Sequence, residues 1–138
     1  MPPETEIEWT CEVCDQPIAD NAGYVTISYA AINAYHDAER AWEEEHPRTG
    51  TFRIVPLTDY VSHPSRVRWR VLHQGCDPDP ESTDYWIGVE RIRTPADVLG
   101  WSAHLLEKNW LPITTWRDVL YRIKKQLEET GTEANRVA

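Results

Sequence analysis

Four residues, Cys11, Cys14, His73 and Cys76, constrain this chain more than any others. They form a Cys-x2-Cys pair, a long insert from Asp15 to Leu72, and then a His-x2-Cys pair. All three cysteines of the sequence belong to the set. Two intervening residues let a tight backbone turn aim two side chains at one ion. Three thiolates and an imidazole at about 2.0–2.3 Å complete a closed tetrahedral zinc site. The pattern therefore predicts a structural zinc centre that ties two distant stretches together. Two other readings stand beside it. A lone Cys-x2-Cys also suits a redox pair, but such a motif follows a strand and opens a helix. Here Glu12, Asp15 and Pro17 surround the pair instead. The third reading has free buried thiols and a surface histidine.

At 138 residues and 16.0 kDa, one domain over 1–138 is expected, with a core of modest size. Its ends read as a loose acidic lead-in over 1–10 and a frayed tail over 130–138. Seven Trp and six Tyr stand against one Phe and one Met. Rings with a polar edge suit a small core or a binding surface. The formal net charge of −9 opposes nucleic acid and anionic membrane. Basic residues gather at Arg66, Arg68 and Arg70, and again at Arg117, Arg122, Lys124 and Lys125, so a local basic face is compatible with the sequence. Met1 to Trp9 has neither a basic n-region nor an apolar h-region, so no secretory signal is expected. No apolar run approaches a membrane span. Cysteines in metal-ligand spacing fit a reducing compartment, so the expected location is cytoplasmic.

Along the chain, Pro17 stiffens the exit of the first pair, and Asp20-Asn21-Ala22-Gly23 signals a turn. Tyr24 to Tyr29 alternates as a strand. Ala30 to Glu45 reads as a helix with the stripe Ile32, Tyr35, Ala38 and Trp42, ended by Pro47 and Gly50. Phe52 to Leu57 is a further strand candidate at a sheet edge, and 58–65 a loop. Arg66 to His73 is the clearest strand: Val67, Trp69 and Val71 face one way, and the three arginines face the other. An acidic loop over 77–84 leads to a strand from Tyr85 to Arg93. Thr94-Pro95-Ala96-Asp97 is a helix start, with Val98, Trp101, Leu105 and Leu106 as the apolar stripe. Thr115 caps the last helix, whose stripe is Trp116, Val119, Leu120, Ile123 and Leu127, and Gly131 ends it. The expected class is α+β: a small antiparallel sheet with the zinc knuckle, one inserted helix and a C-terminal antiparallel helical pair.

The knuckle Cys11-Glu12-Val13-Cys14, its continuation Gln16-Pro17-Ile18, and the second pair His73-Gln74-Gly75-Cys76 resemble the first half-site of LIM domains and, more broadly, treble-clef zinc fingers. The resemblance covers residues 9–29 and 66–77. It implies a zinc ion and a knuckle leading into a hairpin. It departs in the long insert and in the loop Asp77-Pro78-Asp79-Pro80 after Cys76. No LIM function is implied.

Four protein ligands leave no open position for water, and three thiolates dampen Lewis acidity. The sequence has no His-Glu-x-x-His, no deaminase pattern and no phosphate-binding glycine loop. A zinc-dependent hydrolase is thus the third reading of function. The second is a nucleic-acid-binding zinc protein using Arg66, Arg68, Arg70 and the last helix, with aromatic residues stacking bases. With 23 acids in the chain, internal pairing of those arginines with Glu90 or the acidic helix is the favoured account. His36, His46, His63 and His104 read as surface or half-buried. Trp9, Trp86 and Trp110 lie off the apolar stripes, and an exposed Trp in an acidic surface suits a protein partner. The leading reading is a non-catalytic, zinc-stabilised protein-binding or regulatory protein. Compact acidic chains of this kind fit accessory proteins, including those of mobile elements.

Overall fold

The computed structural model describes residues 6–47 and 61–137, with side chains described to 130. The expected strand 52–57, the stop at Gly50 and the start of the 58–65 loop, residues 58–60, lie outside the described residues. The architecture is α+β. Strands β1 (Gly23–Ile27), β2 (Arg70–His73) and β3 (Tyr85–Gly88) form one antiparallel sheet in the order β2-β1-β3. Val25 sits between Val71 and Ile87, and Gly23 opposite His73. Alternation sorts the faces: Val25, Ile27, Val71 and Ile87 are buried inward, while Thr26, Arg70 and Trp86 share the outer face.

Helix α1 (Tyr29–Glu45) is the inserted helix. Ser28 caps it, its Oγ accepting from the Ala31 N–H at 3.1 Å. Ile32, Tyr35 and Trp42 are buried, whereas Ala38 of the expected stripe is exposed. Helix α2 (Pro95–Leu105) starts as its sequence predicts: Thr94 Oγ1 accepts from the Asp97 N–H and Asp97 Oδ2 from the Thr94 N–H, a closed capping box. Val98 and Leu105 are buried, while Leu106 of the expected stripe is the C-cap and is 75% exposed.

Helix α3 runs Trp116–Val137, past Gly131. A lone glycine costs a helix only about 1 kcal/mol relative to alanine and stops it only where the backbone also turns left-handed. The expected Thr115 cap is put to another use: Thr115 Oγ1 accepts from the Trp69 N–H at 3.0 Å. Trp116 Nε1 donates to Ser102 Oγ at 3.1 Å, late in α2 and early in α3. Pro95 and Val98 line a cleft with Leu127 and Glu128, so the pair is antiparallel. No helix among the described residues is long and apolar enough to cross a membrane.

Trp69, fully buried, is the centre of the core. Its ring meets Trp116 at 5.0 Å and Tyr85 at 6.2 Å, edge to face, and its indole N–H donates to the buried Thr114 hydroxyl at 2.9 Å. Three elements depart from the expected pattern. The ladder of β2 begins only at Arg70, because Val67 pairs with the chain before α3: its N–H reaches Ile113 O at 2.8 Å, and its carbonyl takes the Thr115 N–H. The burial alternation over 66–71 still follows the expected pattern. Strand β3 stops at Gly88 and passes into a 3₁₀ turn, Val89–Arg91. The described part of the lead-in is packed: Ile7 and Trp9 are buried in the core, and Trp9 Nε1 donates to Ile92 O at 2.9 Å. Arg93 straps this segment down, its guanidinium bonding Ile18 O at 2.6 Å, Ile7 O at 3.2 Å and Asp20 at 2.9 Å.

Ile123→Asp should abolish the cooperative melting transition. A buried uncompensated charge costs about 3–5 kcal/mol, against a typical total stability of about 5–15 kcal/mol. Arg122→Asp, on the exposed side of α3, should melt within a few degrees of the parent. A native transition for Ile123→Asp in thermal circular dichroism would show that this face of α3 is not core.

Candidate metal centre

Residues 9–18 fold back on themselves, with Ile18 N–H bonded to Trp9 O at 2.8 Å and Thr10 bridged to Pro17. Cys11 and Cys14 lie at the tip of this hairpin. Cys11 N–H reaches Gln16 O, and Asp15 N–H reaches Cys11 O, both at 2.9 Å. Asp15 takes φ 59°, a left-handed conformation that its short polar side chain tolerates. His73 closes β2, and the 3₁₀ turn Gln74–Cys76 carries Cys76 back toward it. The two pairs meet because β1 lies beside β2. Gly23 sits opposite His73, and Gln74 N–H reaches Ala22 O at 3.0 Å. A Cβ at Gly23 would run into the Leu72 carbonyl and lie 2.8 Å from Ile18 Cγ2, so glycine is required where strand and hairpin approach.

The result is one cluster. The sulfurs of Cys11, Cys14 and Cys76 and a ring nitrogen of His73 all lie within 4.8 Å of one another, the only such group of His, Cys, Asp and Glu among the described residues. Cys14 Sγ is 3.2 Å from His73 Nδ1. His73 Nε2 faces the Pro17 carbonyl at 3.1 Å. That carbonyl fixes the proton on Nε2 and leaves the Nδ1 lone pair directed into the cluster, the usual outer support of a metal-bound imidazole. Backbone N–H groups of Val13 and His73 point at Cys11 Sγ, each at 3.4 Å. The donor set therefore fits a metal ion in spacing as well as in chemistry: four protein atoms offer the number of donors a tetrahedral site takes.

The electrostatics agree. Burial alone would raise the Cys11 thiol, yet the backbone donors of His73, Cys14 and Val13 outweigh it and bring it down to about 6. Cys76 is pushed up to about 11 by desolvation and by its bonds to, and repulsion from, the other two sulfurs. Beside the cluster, Tyr24 donates its hydroxyl to Asp77, the residue after Cys76. Burial and that carboxylate push the Tyr24 hydroxyl well above its ordinary range, so it remains a donor.

Arg66, Arg68 and Arg70 are all exposed on one side, as the alternation predicts. The partner of two of them is Glu12, inside the knuckle, rather than Glu90 or the acidic helix. Glu12 Oε1 binds Arg70 Nε at 2.5 Å, and Oε2 binds Arg68 Nη2. Glu90 instead accepts from the Asn21 N–H at 2.9 Å. Glu12 and Arg93 were invisible as functional residues in the sequence, since only the fold brings their partners near. Among the unassigned tryptophans, Trp9 is buried, Trp110 half-buried against Tyr85, and Trp86 is 56% exposed. His36 and His104 are exposed, and His46 and His63 half-buried. The chain matches no family model, no curated protein and no solved structure.

Cys76→Ser removes a donor that joins two turns far apart in sequence, and should lower the melting temperature by 10 °C or more, at roughly 4–8 °C per kcal/mol for a small domain. His36→Ala, at an exposed position, should shift it by less than about 3 °C. Equal shifts in differential scanning fluorimetry would contradict the ligand set.

Proposed function

We propose that Cys11, Cys14, His73 and Cys76 hold one zinc ion in a closed structural site, and that the chain is a non-catalytic protein-binding or regulatory module built on it. The observation that carries this reading is the closure of the cluster: three sulfurs and one imidazole nitrogen within 4.8 Å of one another. Soft thiolates with one imidazole in a tetrahedral set favour zinc over the harder divalent cations. Zinc coordinated in this way has no site for a substrate or an activated water, which speaks against the hydrolase reading. The knuckle and the hairpin at 9–18 support the likeness to treble-clef modules. The likeness is confined to them, because the second pair spans the end of β2 and a 3₁₀ turn and leads into an acidic loop.

What remains for function is surface. The outer face of the sheet exposes Trp86 beside Tyr24, ring centroids 5.8 Å apart, which suits a protein partner. The nucleic-acid reading needs the arginines of 66–70, and the ion pairs of Arg68 and Arg70 with Glu12 weigh against it.

Elemental analysis should find one zinc per chain in protein never exposed to chelator, and a chelator should lower its melting temperature. Well under one equivalent would overturn the zinc assignment. Single- and double-stranded nucleic acid should bind more weakly than about micromolar near physiological salt. Submicromolar binding with a steep salt slope would replace this reading with the arginine-strand one.

A further inference from the structure

The outer face of the sheet holds a cleft of about 340 Å3, lined by both aromatic and acidic side chains. Tyr24 and Trp86 form its apolar part, rings tilted by 53°. Asp77, Asp84 and Glu90 form its acidic part, and Arg91 is its one cationic lining residue. The three carboxylates are held by neutral donors. Asp77 takes the Tyr24 hydroxyl and the Asp79 N–H; Asp84 takes the Tyr29 N–H and the Ser82 hydroxyl; Glu90 takes the Asn21 N–H. None of the three has a Lys, Arg or His partner within ion-pair distance among the described residues. Glu90 folds back over Gly88, occupying the space a side chain there would fill, so its carboxylate lies against the face and not away from it.

Aromatic rings with their negative faces exposed, beside carboxylates without countercharge, attract organic cations. A phosphate or a carboxylate ligand would meet the reverse. The volume suits one long side chain and its flanking backbone rather than a whole domain. We infer that this cleft receives a lysine or arginine side chain from an extended basic segment of a partner protein. The inference rests on the reading of the chain as a binding module and gives its partner a chemistry. The net charge of −9 would steer such a partner inward. One wall of the cleft belongs to the metal centre, since Gln74 and Asp77 flank Cys76 and Gly23 pairs with His73. Metal loading should therefore be required for binding.

The test uses the zinc-loaded full chain, labelled with nitrogen-15, titrated with hexalysine and hexaarginine peptides at physiological salt. The expected result is saturable shifts at the Trp86 indole and at the amides of Asn21, Gly88 and Glu90. Trp86→Ala should weaken binding by roughly tenfold, the range of a desolvated cation–π contact. Glu90→Gln keeps the acceptor for Asn21 but removes the charge, and should weaken it by about threefold or more. Glu129→Gln, on an exposed stretch of α3, should leave it unchanged. Shifts spread over the acidic surface without saturation, or equal binding by parent, Trp86→Ala and Glu90→Gln, would overturn the inference. So would tetramethylammonium binding in the cleft with no binding of either peptide, which would mark a small-molecule site. If the chain binds a natural protein partner and Trp86→Ala does not affect it, the binding-module reading stands and this inference falls. If the zinc-loaded, folded chain binds neither peptide nor any natural protein partner, both fall.

Discussion

Three thiols packed with an imidazole, all within 4.8 Å of one another, cannot all be ionised at neutral pH unless a cation sits among them. As each sulfur loses its proton, the next finds it harder to do so. That is the meaning of Cys11 lying near 6 while Cys76 lies near 11. A dication draws all three into the thiolate form at once, and the free energy of doing so becomes folding free energy. The rest of the molecule is arranged to make that encounter possible. β1 runs through the middle of the sheet, the hairpin at 9–18 closes on one end of β2, and Gly23 leaves room for the two to touch.

The metal cluster is not the only tie across this join. Glu12 N–H bonds Val71 O at 3.0 Å, so the knuckle pairs with the outer edge of β2. An edge strand left open invites pairing with another chain, and the knuckle covers this one. On the other side Arg93 gathers three segments with one guanidinium, and Gln126 on α3 clamps Glu8 through both its amide atoms. The N-terminal segment is therefore held by backbone contacts with both the sheet and the helices, which is why Ile7 can be 1% exposed in a stretch rich in acids.

The sequence carried the two halves of the Cys3His cluster, the Thr94 helix start and the alternation of 66–71, because each depends on residues near one another in the chain. The Cys-x2-Cys and His-x2-Cys spacings are local facts about turns, and the Thr94 box closes over three residues. What the sequence did not carry was decided at long range. Thr115 has the look of a cap, yet its hydroxyl serves Trp69, 46 residues away. Strand β3 ends at Gly88 although the apolar pattern runs on through Val89 and Ile92, both buried. Those two are turned inward by a 3₁₀ turn and by the Arg93 strap, and period-2 reasoning cannot see either. Ile7 and Trp9 sit amid acids that suggest a solvated lead-in, and only the partners of Arg93 and Ile92 reveal a packed segment.

The arginine face shows how a surface pattern is decided by what lies beside it. Arg68 and Arg70 are 65% and 44% exposed, while the Glu12 side chain between them is only 17% exposed. Exposed ion pairs add little to stability, on the order of 0–1 kcal/mol each, so these pairs do not explain why the knuckle stays in place; the Val71 backbone contact and the hairpin's own bonds do. Their effect is on the field. With Glu12 inserted, the strand's three positive charges become a net of two, on a chain whose overall charge is −9. A polyanion gains affinity from the counterions it releases for each phosphate neutralised, and two net charges release few. The carboxylates beside Trp86 have no such compensation among the described residues. Asp77, Asp84 and Glu90 border an exposed indole with only Arg91 among them. Both considerations favour a partner that is itself cationic, seated at the Trp86 side of the outer face rather than on its arginine side, from which Thr26 separates it.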